Sequence, residues 1–107
     1  MNFRPGDLAL IKSQWRSYTI FIAVKQTVQS LIGENTYSSD VPDAATIQRA
    51  LAGKPRNRVL LVDVIPYSPQ AVRILAQFEA QRRSIEEQKA AVYREQAAWW
   101  KQQQEEA

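Results

Sequence analysis

The chain has 107 residues, 45% apolar and 23% charged, with fourteen basic residues against eleven acidic and neither cysteine nor histidine. Such a composition suits one small folded domain and excludes a disulfide scaffold, a thiolate nucleophile, a histidine base and most transition-metal sites. With the usual proton shuttle missing, the expectation is a non-enzymatic protein that needs no cofactor and no metal.

No apolar run approaches the roughly 20 residues required to cross a bilayer, and the opening residues lack the apolar core of a signal peptide. A cytoplasmic location is therefore expected. All the excess positive charge falls in residues 1–68, which carry eight basic and five acidic residues, while residues 69–107 carry six of each. That bias favours anionic partners.

Arg4-Pro5-Gly6-Asp7 predicts a turn, and residues 8–12 a short buried strand. The polar connection that follows contains Trp15 and Arg16. Residues 18–25 form the clearest strand pattern, with Tyr18, Ile20, Ile22 and Val24 on one face and Thr19, Phe21, Ala23 and Lys25 on the other. The pattern runs on to Ile32, with a bend or hairpin near residues 25–27, and Gly33-Glu34-Asn35 is expected to break it. Asp40 as cap, Pro42 in the first turn and Asp43 as the acidic reply predict a helix over residues 41–52, ended by Gly53. Residues 59–65 are rich in β-branched side chains and read as one buried central strand.

Ser68-Pro69 launches the last segment, where neither glycine nor proline interrupts the helix formers. A straight helix over residues 69–106 would run about 57 Å, against a head of about 28 Å. Such a helix must project, bend back or lie against another chain. The organisation expected is thus a β-rich head, residues 1–68, and a long C-terminal helix, residues 69–107, fraying beyond about residue 101. The fold class is α+β. A small, partly open antiparallel barrel of SH3-like type or a curved sheet carries one inserted helix. The opening Arg4-Pro5-Gly6-Asp7-Leu8-Ala9-Leu10-Ile11 resembles the first strand of SH3-like barrels, a likeness of eight residues that assigns no family.

On a heptad, Ala71, Phe78, Ile85, Val92 and Trp99 recur as one seam, although Gln81, Gln88 and Glu95 spoil the companion positions. Val72, Leu75 and Phe78, extended by Ile85, form an alternative stripe whose first turns pack on the head. Ser84-Ile85-Glu86-Glu87 has the form of a capping box and marks a place where the helix can break. Trp99 and Trp100 point about 100° apart on a helix, and leaving both wet is costly. Burial by a protein partner or a second copy is the favoured expectation, with Phe78, Ile85, Val92, Tyr93, Trp99 and Trp100 as the partner-binding set.

Two basic groups on the head suggest nucleic acid. Lys12, Trp15, Arg16 and Tyr18 interleave charges with aromatic rings, and Arg49, Lys54, Arg56 and Arg58 flank the short helix and the loop after it. No glycine-rich phosphate loop, zinc spacing or RNA-recognition signature accompanies them. The leading expectation is a binding or adaptor protein that associates through its long C-terminal helix while its basic head meets a partner. The alternatives are a nucleic-acid-binding accessory protein, or a small inhibitor from a mobile element that blocks the working site of a larger nucleic-acid-handling protein.

Overall fold

The structure is a computed structural model and describes residues 1–13, 17–84 and 89–107. Among the described residues, five antiparallel strands and three helices make the fold α+β. They are β1 (Leu8–Ile11), β2 (Thr19–Gln26), β3 (Ser30–Asn35), α1 (Ala44–Ala52), β4 (Asn57–Leu60), β5 (Val64–Pro66), α2 (Pro69–Ser84) and α3 (Lys89–Glu106). The sheet order is β4-β3-β2-β1-β5.

The two edge strands are consecutive in sequence. A single 3-10 turn, Leu61–Asp63, joins them. Four strand spacings would separate them by roughly 19 Å in a flat sheet, whereas three 3-10 residues advance only about 6 Å. The sheet must therefore curl, which it does as a partly open barrel. Residues 59–65 are consequently not one central strand, as their β-branched content suggested, but two edge strands and the turn between them. Val59 still packs inward, while Leu60 and Val62 stay exposed.

Alternation along β2 feeds two cores. Phe21 and Ala23 pack with Phe3, Ala9, Ile11, Leu31 and Val64 inside the curl. Ile20 points the other way and, with Leu10, Tyr18 and Ile65, meets Ala71, Leu75 and Trp100 of the helices. That double burial explains why Ala9 and Leu10 are both fully inaccessible.

Gly33 does not end its strand. It lies inside β3 opposite Ala23, beside a register shift between Ala23 and Lys25. A Cβ at Gly33 would overlap the Ile22 carbonyl oxygen and crowd the Phe21 ring, so glycine here permits close approach of two strands at a bulge. The β2–β3 reversal is a hairpin at residues 27–29. The Thr27 hydroxyl accepts from the Ser30 N–H at 3.1 Å, which closes the turn without a glycine.

Helix α1 starts three residues later than expected. Asp43, not Asp40, is its cap and accepts from the Thr46 N–H at 2.8 Å. Val41 and Pro42 precede the helix rather than opening it. For α2 the expected cap holds, since Ser68 Oγ accepts from the Ala71 N–H at 3.0 Å.

The C-terminal segment bends back. Helices α2 and α3 pack side by side, with the Phe78 and Trp99 rings 6.2 Å apart and the Arg82 guanidinium 5.1 Å from the Tyr93 ring centre. The longest dimension of the chain is 46 Å, too short for a straight helix over residues 69–106. Residues 85–88 of the capping-box pattern lie outside the described residues. Nor does the end fray at residue 101, because α3 continues to Glu106 and Gln104 Nε2 donates to the carbonyls of Leu61, Val62 and Val64. Those bonds satisfy acceptors of the 3-10 turn and of β5, the outer strand of that edge.

Trp100 is only 2% exposed, enclosed by the second core. Val92 is buried as well, and Trp99 is half-buried against Phe78. Burial by a partner is the favoured expectation from sequence for the tryptophans, and here the chain itself buries Trp100 and covers part of Trp99. The sequence pattern offered both outcomes; the second core decides, because Leu10, Ile20 and Ile65 need a lid as much as Trp100 needs a pocket.

Candidate nucleic-acid interface

The outer face of β3 and β4 is the other half of the surface that the C-terminal helices cover at Leu10 and Ile20. Residues opposite one another on paired strands share a face. The register therefore sets Lys25, Ile32 and Arg58 in one row across three strands. Lys25 and Arg58 are exposed. Two residues along β3, Glu34 follows Ile32 on the same face, opposite Ile22.

Helix α1 lies over this end of the sheet. Between the helix and β3 is a cleft of about 410 Å³ whose lining includes Arg49, Lys54 and Arg56, Thr36 and Thr46, and one acid, Glu34. Local chemistry places each cation. The helix positions Arg49 in its last turn, where a cation complements the carbonyl end of the helix dipole, and its Nη2 donates to Thr46 Oγ1 at 3.2 Å. Gly53 ends the helix by donating its N–H to the Arg49 carbonyl at 3.0 Å, and Lys54 and Arg56 follow on the path to β4.

Asp43 anchors the opposite end of the same helix. Hydrogen bonds from the Thr46 side chain and backbone hold its carboxyl below the usual carboxylate range.

Tyr37 follows Thr36 of the cleft wall and is hydrogen-bonded to Asn57, the residue after Arg56. It is 70% exposed, and its φ of 52° is the only positive value among the described non-glycine residues. A side chain in that region is strained, and the neighbours hold it there. Asn35 Oδ1 accepts from the Tyr37 N–H at 2.8 Å and from Thr19 Oγ1 at 3.2 Å. Asn57 Oδ1 in turn accepts from the Asn35 N–H at 2.9 Å, and Asn57 Nδ2 reaches Tyr37 Oη at 3.4 Å. Two amide side chains thus hold an exposed aromatic residue that follows directly on the cleft wall at Thr36.

The structure brings Arg49, Lys54 and Arg56 together as the sequence suggested, and sets Arg58 on the adjoining strand. It does not add Lys12 or Tyr18 to them. The Lys12 ammonium lies 5.6 Å from the centre of the Trp100 ring, in a separate cleft of about 240 Å³ shared with Arg82 and Tyr93. Tyr18 is buried in the second core and donates its hydroxyl to the Ser39 carbonyl at 3.3 Å. Burial, and then the nearby Tyr67, Asp40 and Glu79, push its pKa up. It is therefore no free surface for a base to stack on. Trp15 and Arg16 lie outside the described residues, as does Ile85 of the partner-binding set.

Tyr37 escaped the sequence reading because its signal is one of tertiary structure. Asn35 and Asn57, which fix it, are 22 residues apart. The hint was local: an aromatic among Asn, Thr and Ser, in a stretch too polar to bury it.

Among the described residues no cluster of three or more acidic side chains is disposed to hold a metal ion, and no helix is long and apolar enough to cross a membrane. No known protein family, no curated protein and no solved structure matches the chain.

Proposed function

We propose that the protein is a non-enzymatic binding protein whose head takes single-stranded nucleic acid on the face built by α1, β3 and β4. One observation carries this reading: Tyr37, exposed and held in a strained backbone conformation, follows Thr36 in the wall of a cleft that Arg49, Lys54 and Arg56 also line. Strain maintained by a hydrogen-bond network is a mark of functional positions. An aromatic platform beside cations is what single strands require, because every base has a stacking face and every linkage a phosphate. The curled sheet supports the SH3-like assignment of the head: five antiparallel strands, the last two joined by a 3-10 turn, with the final strand beside the first. An inhibitor that occupies the nucleic-acid site of a larger protein remains the neighbouring reading, and it draws on the same basic charge.

The test is fluorescence anisotropy with a labelled ten-nucleotide single strand. Binding is expected to fall steeply as salt rises from about 50 to 200 mM, and Tyr37→Ala is expected to weaken it at least about fivefold. A flat salt response, or full affinity in Tyr37→Ala, would overturn the proposal.

Association with a protein through the C-terminal helices is the second reading. Its supporting observation is Tyr93, 53% exposed and stacked with Arg82 on the outside of the helix pair. Phe78 and Trp99 are half-buried beside it, and Val92 and Trp100 already belong to the interior. The surface left to a partner is correspondingly smaller than the full six-residue set.

A further inference from the structure

Glu34 is the odd residue of the cleft. Three cations line the same hollow, and a carboxylate among them opposes the phosphate attraction on which the nucleic-acid reading rests. Were charge all that mattered, glutamine or threonine would serve better. The side chain sits on the outer face of β3, half-buried, with Ile22 across from it on β2. Arg56 occupies the next position beyond the β3–β4 ladder, yet among the described residues no ion pair or hydrogen bond engages the Glu34 carboxylate. A carboxyl group is thus held at the wall of a hollow of about 410 Å³, which is roomy enough for one nucleotide.

What such a group recognises follows from the edges of the bases. A carboxylate accepts two hydrogen bonds side by side. Guanine presents two adjacent donors on its Watson–Crick edge, the ring N1–H and the exocyclic N2 amino group. Adenine and cytosine offer one amino donor next to a ring-nitrogen acceptor, which a carboxylate repels. Uracil offers one N–H flanked by two carbonyl oxygens. Only guanine satisfies both oxygens. Resting on the nucleic-acid reading above, we infer that the cleft is a guanine-selecting subsite. Glu34 accepts from N1–H and N2–H, the cations hold the flanking phosphates, and Tyr37, next to Thr36, stacks the neighbouring base. Selection by Glu34 acts on single strands alone, because pairing in a duplex consumes the same edge.

The experiment uses the full chain and three fluorescein-labelled heptamers of uridine with guanosine, inosine or adenosine at the centre. Inosine keeps N1–H and lacks the N2 amino group, so it removes one of the two bonds. The guanosine strand is expected to bind about tenfold tighter than either of the others. Glu34→Gln, with unchanged circular dichroism, is expected to abolish that preference, bringing the three strands to within about twofold of one another. Binding of all three strands alike by the parent protein would overturn the guanine subsite and leave the nucleic-acid reading standing. A uniform rise in affinity in Glu34→Gln with the preference intact would show that Glu34 only trims the charge of the cleft. Failure of every strand to bind would overturn both.

Discussion

The Phe78 ring of α2 and the Trp99 ring of α3 meet with centroids 6.2 Å apart and planes tilted by 58°. Trp99 then touches Trp100 edge-on, at 6.4 Å. This ladder of rings joins the fold-back of the chain to the second core, because Trp100 reaches the Leu10, Ile20 and Ile65 side of the sheet. The C-terminal helices therefore act as the lid of the head and not as a free arm.

Removing the lid is expected to damage the head. A chain cut after Glu87 loses Val92, Trp99 and Trp100, and exposes Leu10, Ile20, Ile65 and Leu75 to water. Trp100→Ala alone is expected to cost about 3–5 kcal/mol, the range for emptying an aromatic site in a core. Trp99→Ala, at a half-buried position, should cost distinctly less. Urea denaturation of the two variants checks the order, and equal losses would contradict the placement of the rings.

How much of this was legible depended on the range of the interactions that decide it. Alternation along β2, the Ser68 cap of α2 and the grouping of Arg49, Lys54 and Arg56 follow from neighbours in sequence, and were readable. The split of residues 59–65 was not. Val59 and Val64 have the same local character, and only the closure of the sheet assigns them to opposite edges. Gly33 looked like a breaker because its need for close approach comes from the Ile22 carbonyl on another strand. The tryptophan pair looked homeless for the same reason, since its pocket is assembled from β1, β2, β5 and α2.

Gly33→Ala is expected to be among the most destabilising single changes in the chain. Its Cβ would meet backbone of the facing strand, which has no rotamer with which to yield. The loss should exceed about 4 kcal/mol, the range reserved for overpacking and backbone conflict. A soluble variant with a near-normal melting temperature would contradict the bulge geometry at Ala23 and Lys25.

Tyr37 is expected to trade stability for binding. Replacement by glycine frees the backbone from its left-handed strain, worth about 1 kcal/mol, and gives up only the long hydrogen bond from Asn57. Tyr37→Gly should therefore melt at the same temperature or higher while losing affinity for single strands. A variant that is less stable and binds normally would mean that the ring serves the fold.

Salt dependence separates the cations. Each phosphate contact on a single strand contributes a slope of about 0.7 in log K against log salt concentration. Arg56→Ala, in the cleft, should lower the slope by about that amount. Lys12→Ala should leave it unchanged, because Lys12 sits over Trp100 in the other cleft. The same slope change in both variants would place the strand across both clefts.

Acid should loosen α1 before the sheet. Asp43 is held ionised by its bonds to Thr46, so its carboxyl titrates lower in the folded chain than in the unfolded one. A depressed folded value means that the cap's contribution is fully present above the unfolded pKa, near 3.8. It is lost as pH falls from there through the folded value. Hydrogen exchange of the α1 amides, followed downward from neutral pH, should show the first turn opening in that window while β2 and β3 stay protected. Asp43→Asn keeps a capping acceptor that does not titrate, so its first turn should stay equally protected across the range. Because α1 carries Arg49 into the cleft, the parent protein should also lose single-strand affinity in that acid window, and Asp43→Asn should retain more of it. If both chains open together, protonation elsewhere, and not at the cap, controls the helix.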